Sequence, residues 1–283
     1  MKKLTLLLLA LLYVTLTYAY TERDLLQKQA DINRLKEILV LDRQWVTYPD
    51  YNDRAGWDRF LGTFKDEYIR RGEKRLNYQW QVVKATDYLA FERTGNRQIM
   101  EKPFGANNGA IADLLMAELA EGKGRFVDQL INGVFNACEM TSWALAAHII
   151  VQPSHRALPA YDYPVIDLTS GDLGGLLAWT YHFMRPSFDK VDPEISRRLR
   201  HELQTRILDP YMNNDSFWWM GRNYNGRMLN NWNPWCNSNA LMCFMLLEDN
   251  RDTLAKAVHL TMESVDKLSL IHISEPTRQA EIS

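Results

Sequence analysis

The sequence predicts an all-α fold, either an α/α toroid or an α-solenoid, on three observations. Apolar positions recur at three- and four-residue steps through segments 57–71, 77–92, 111–121, 126–150, 172–184, 194–208, 236–248 and 252–266. An alternating strand pattern is almost absent. The segments are joined by long, aromatic-rich loops, where a compact bundle would use shorter connections. No internal repeat rises above this alternation of helix and loop.

The first three segments rest on periodicity alone, and Gly122-Lys123-Gly124 ends the third. Segment 126–150 reads as one long helix carrying Glu139, Ser142, Trp143 and His148. The first three of these fall at three- and four-residue steps and so on a common face. Pro153-Ser154 breaks that helix and puts His155-Arg156 in a loop. For 172–184, Thr169 or Ser170 is the expected cap, with Asp172 complementing the helix dipole. Asp192-Pro193 is the best start signal in the chain: an N-cap aspartate, proline at the first helical position, and Glu194 in the first turn. Behind it Ile195, Leu199, Leu203 and Ile207 form a four-step apolar stripe, with Arg197, Arg198, Arg200 and Glu202 outside. Asn237 or Asn239 is the expected start of the helix through Leu241 and Leu247.

Both ends are set apart from this pattern. Met1-Lys2-Lys3, the apolar run 4–12 and the small residues near Ala19 predict a secretory signal peptide over 1–19. Its apolar core is short of the roughly 20 residues that span a bilayer, so the mature chain is expected without a membrane span and exported, to a periplasm or outside the cell. Leu268 to Arg278 resembles a translated sequencing adapter, with Gln279 to Ser283 reading as its continuation. Residues 268–283 are therefore expected to be an artefact tail, 20–267 the helical domain, and no function is assigned to His272 or Glu275.

A net charge of −2 over 283 residues, with 46% apolar residues, describes an ordinary soluble chain and argues against a nucleic-acid partner, which favours high basicity. It leaves room for a poly-anionic sugar held by local basic residues. Cys138, Cys236 and Cys243 have no metal-type spacing, and Cys236 and Cys243 are two helical turns apart, about 10 Å, so buried thiols are expected. Neither a metal-ligand cluster nor a Gly-rich phosphate loop is visible, so no cofactor is expected.

Between Tyr211 and Trp235 lie seven aromatics in 25 residues: Tyr211, Phe217, Trp218, Trp219, Tyr224, Trp232 and Trp235. Arg222, Arg227 and the asparagine-rich run from Asn230 to Asn239 are interleaved with them. Sugars present C–H faces and a rim of hydroxyls, which suit flat indoles and two-way amides; an arginine fork suits a carboxylate or sulfate. Taken singly, each tryptophan is as readily a core residue, but so many asparagines between aromatics call for a shared explanation.

Asn230-Asn231-Trp232-Asn233-Pro234-Trp235-Cys236-Asn237-Ser238-Asn239 resembles the Asn-rich motif of the heparinase II/III family of polysaccharide lyases. Gly122 to Phe126 and Cys138 to Ala144 resemble the family's earlier helices, so the resemblance runs through roughly 40–267. It implies an α/α toroid, incomplete here because the family's C-terminal β-sandwich is absent. It also implies β-elimination on a uronic-acid-containing glycan. Carried over residue by residue, Asn231 is the expected carboxylate neutraliser, with Asn230 the alternative one position away. Trp232 stands where related lyases often have a histidine, and the family's catalytic tyrosine and second histidine lie beyond this chain, so the chain as given is expected to be inactive. The expected acidic-polysaccharide contacts are Trp218, Arg222, Tyr224, Trp232, Asn233, Trp235 and Asn237, joined by Glu139, Trp143 and His155. The oligomeric state is left open.

Two rivals accompany this expectation. Asp167 and Asp172 could serve a glycoside hydrolase on a similar toroid, or the helical domain could bind a glycan without catalysis. His182, His201 and His259 are expected in structural or surface roles.

Overall fold

The periodic segments fold as helices, and among the described residues of this computed structural model, 24–223 and 229–268, every regular element is helical. The expected signal peptide, Tyr224, Arg227 and the tail from Ser269 onward lie outside the described residues.

A short helix α1 (Ile32–Ile38), which the periodicity did not announce, is capped by Asp31. It is followed by α2 (Arg54–Leu61), a single 3₁₀ turn, and α3 (Lys65–Glu73). Segment 77–92 shortens to α4 (Ala85–Thr94), because the side chain of Asn107 draws the chain out ahead of it. That amide accepts from Gln81 N at 3.0 Å and donates to Gln81 O at 2.7 Å, serving the backbone as a neighbouring strand would. Helix α5 (Gln98–Glu121) ends at Gly122, whose φ of +66° is the left-handed conformation that favours glycine at a helix end.

The long helix expected over 126–150 is two pieces, α6 (Val127–Glu139) and a single turn α7 (Ala146–Ile149). The chain turns extended at Met140. The orphan carbonyls at the end of α6 are taken up from outside: Trp143 Nε1 donates to Ala137 O at 2.9 Å, and Arg198 and Arg206 both donate to Cys138 O. Beyond them α8 (Leu168–Val191) and α9 (Pro193–Leu203) meet at Asp192, which caps α9 as expected. A π-helical turn over Gln204–Leu208 leads into α10 (Asp209–Asn213), with Pro210, which has no N–H to give, at the join. A 3₁₀ turn (Trp218–Met220) precedes α11 (Trp232–Leu247) and α12 (Arg251–Asp266).

Helices pack both on their neighbours in sequence and across the chain: α5 on α3 and α6, α8 on α9 and α11, α12 on α11 and on α1, while α6 meets α9. One continuous core runs through α2 to α12, with Trp57, Phe126, Trp143, Phe188, Tyr211 and Trp219 fully buried, and Leu35 of α1 forms a small second cluster with Ala30 and Ala255. Close approach of α8 and α11 depends on Gly171 and Gly175, where an added Cβ would lie 3.2 and 3.0 Å from atoms of Asn239. All three cysteines are free and buried, and burial pushes the thiols of Cys138 and Cys243 up to about 12 and that of Cys236 higher still. Among the described residues no helix is long and apolar enough to cross a membrane.

Candidate functional site

The start of α8, the start of α11 and the broken segment 140–149 converge. Asp167, rather than Thr169 or Ser170, caps α8: its carboxylate accepts from Ser170 N at 2.7 Å while Ser170 Oγ accepts from Asp167 N at 2.7 Å. This reciprocal arrangement satisfies two donors at a helix start. The same carboxylate, fully buried, also accepts from Leu145 N and Thr169 Oγ1, each at 3.1 Å. These donors offset the cost of taking a carboxylate out of water, and the bond from Leu145 is one reason the chain leaves the helix after Glu139.

Asp167 Oδ2 lies 2.6 Å from Nδ1 of His148 in α7. A carboxylate there calls for the ring proton on Nδ1 and leaves Nε2 as an acceptor. Arg97, which can only donate, faces Nε2 at 3.4 Å. The edge of the imidazole meets Trp232, with ring centres 4.7 Å apart, and Trp218 lies 5.4 Å beyond at a tilt. Sequence reasoning named His148 and Asp167 separately and did not join them; Arg97 was missed altogether. Their pairing closes across a loop, a distance no periodicity signals.

Four residues on from Asn231, Trp235 is 43% exposed and donates its indole N–H to Asp172 Oδ1 at 2.7 Å. Asn239, a further turn along, donates to the same oxygen at 2.9 Å. Asp172 therefore cross-links the beginnings of α8 and α11. Asn230 Oδ1 accepts from Trp232 N at 3.0 Å, an Asx turn just ahead of the helix. Asn231 is exposed, and its side-chain amide makes no hydrogen bond with any described residue.

Several expected contacts are elsewhere. Asn233 and Asn237 are not substrate-facing: both are fully buried. Asn233 Nδ2 donates to Trp219 O and Ser264 O, and Asn237 Nδ2 to Asn233 O and Ser264 Oγ, while Asn237 Oδ1 accepts from Tyr211 at 2.6 Å. Nor do Asn237 and Asn239 start a helix, since α11 begins at Trp232 and they lie inside it. Trp143 is a core residue, 2% exposed, with Arg206 over its ring. Glu139 is an exposed charge paired with Arg198 at 3.0 Å and, with the helix broken, does not share a helix face with Trp143. Arg222 ties its own loop together, to Asp215 at 2.7 Å and Tyr211 O at 3.2 Å. His155 is an exposed loop residue at φ +54° whose Nδ1 sits 3.1 Å from Ile150 O. Of the two carboxylates named for hydrolysis, Asp167 is fully buried among its own donors, and Asp172 holds Trp235 and Asn239.

Among the described residues no three His, Cys, Asp or Glu side chains gather as a metal site. What remains is an exposed free amide, a tryptophan-lined wall, and a histidine oriented by a buried carboxylate. The chain matches no protein-family model and no curated protein.

Proposed function

We propose that this chain carries the carboxylate-binding side of a polysaccharide lyase site of the heparinase II/III type, acting by β-elimination on uronic-acid-containing glycans. The observation that carries this reading is Asn231, an exposed amide with no partner among the described residues, at the start of α11 next to Trp232, whose ring meets Trp218. The helices are read as an arc of an α/α toroid, the protein as exported, and the partner as an acidic polysaccharide.

The chemistry explains why an unengaged amide belongs there. The C5 proton of a uronate is weakly acidic because its removal adds negative charge beside a carboxylate. An amide N–H held on that carboxylate stabilises the enolate-like intermediate, and a fixed donor of this kind contributes a few kcal/mol. Trp218, Trp232 and Trp235 supply faces for the sugar rings.

The test is the product. With a proton-transferring group beside this carboxylate-binding side, incubation with uronate polymers is expected to release oligosaccharides whose new C4–C5 double bond absorbs in the near ultraviolet. Reducing ends appearing without that absorbance would refute the lyase reading in favour of hydrolysis. Binding with neither product would leave a glycan-binding domain.

A further inference from the structure

We infer that His148 is the proton carrier of this site, with Asp167 as its positioning residue. The inference rests on the uronate reading above and adds what that reading lacks, a group in this chain that moves the proton.

The ring is fixed from three sides: Asp167 at Nδ1, the edge of Trp232, and Arg97 at Nε2. The pairing serves the imidazole rather than the carboxylate. Asp167 already has Leu145 N, Thr169 Oγ1 and Ser170 N, and would be satisfied without His148. What the contact with His148 adds is a set tautomer and a restrained ring, with an acceptor lone pair on Nε2. This ring touches Trp232, the residue after Asn231 at the start of α11. The side chain of His148 keeps 14% of its surface exposed.

Arg97 covers Nε2, but loosely. Its side chain is 44% exposed and its other bond is to Glu101 at 2.6 Å. A bound uronate carboxylate attracts the same guanidinium and draws it off Nε2. Nε2 then takes the C5 proton. The C5–H pair becomes the second bond between C4 and C5, the C4–O bond breaks, and the imidazolium returns its proton to the departing oxygen. His148 ends neutral, as it began, and no other reactant is needed. Asp167 faces the imidazolium while it exists.

The experiment follows unsaturated product and, by NMR in deuterium oxide, loss of C5–H from a uronate oligosaccharide, in parallel with binding of the same oligosaccharide. His148→Gln and His148→Ala are expected to lose about 100-fold or more of turnover and C5–H exchange with binding kept. Added imidazole should restore part of the rate in His148→Ala. Asp167→Asn should lower kcat far more than it raises KM. Where His148→Ala fails to fold by circular dichroism, His148→Gln, closer in size, decides. A His148→Gln protein working at the wild-type rate, or losing binding and turnover alike, overturns the inference while the lyase reading stands. A wild-type protein that binds the oligosaccharide but neither exchanges nor cleaves it overturns the inference and leaves a glycan-binding domain in place of the lyase reading. Cleavage without a double bond, or no binding, brings down the lyase reading and the inference with it.

Discussion

Two faces of one helix start divide the asparagine- and tryptophan-rich run between them. A helix turns about 100° per residue, so Asn231, Trp235 and Asn239 follow one line along α11, and Asn233 and Asn237 another, about 200° round. On the first line the side chains are free or bond across to Asp172 at the start of α8. On the second they are sealed inside, joining α11 to Ser264 of α12, to the 3₁₀ turn at Trp219 and to Tyr211 of α10. The same residue types in ten consecutive positions thus hold the fold together on one side and stay available on the other. Helical phase, not residue type, decides which.

Substituting along each line tests the division. The largest effect is expected from Asn231→Ala, a loss of about 100- to 1,000-fold in turnover on a uronate polymer, the scale of removing one donor from a site of developing charge. Its unfolding free energy in urea should stay within about 0.5 kcal/mol of wild type, as for an exposed polar residue. Asn237→Ala should behave in the opposite way. It takes one buried partner each from Tyr211 Oη and Ser264 Oγ, which keep Thr261 and Asn233, and is expected to cost about 2 kcal/mol of stability, read from the shift in denaturation midpoint. An Asn237→Ala protein of native stability but lost turnover would collapse the distinction between the faces. Trp235→Ala sharpens it further: loss of an exposed stacking face should weaken oligosaccharide affinity by about 1 kcal/mol, roughly fivefold in a titration. Ser238→Ala, exposed and bonded only to Trp235 O, should change neither quantity by more than about 0.5 kcal/mol.

Helical phase also sets how much of the fold is legible in the sequence. With its strong cap at Asp192 and Pro193 and a four-step stripe, α9 follows from the sequence directly, and α12 falls within a residue of its periodic segment. The start of α11 does not. Placing it near Asn237 instead of at Trp232 hides the two lines, and with them the difference between Asn231 and Asn233. The break after Glu139 was equally out of reach, because its causes are distant: the carboxylate of Asp167 holding Leu145 N, Tyr88 donating to Ser142 O at 2.9 Å, and the guanidinium of Arg206 against Thr141 O. Local pattern favours a continuous helix there, and partners across the fold outvote it. His148 was visible as a helix residue, yet its meeting with Asp167 exists only because that helix is broken.

The three buried cysteines bear on where such a chain can work. A thiol attacks disulfides and reacts with peroxide as its thiolate, and burial disfavours that form at Cys138, Cys236 and Cys243 alike. The folded protein therefore has no cross-link for a reductant to break and no ready nucleophile for an oxidant to take. Its cysteine sulfur serves as core volume.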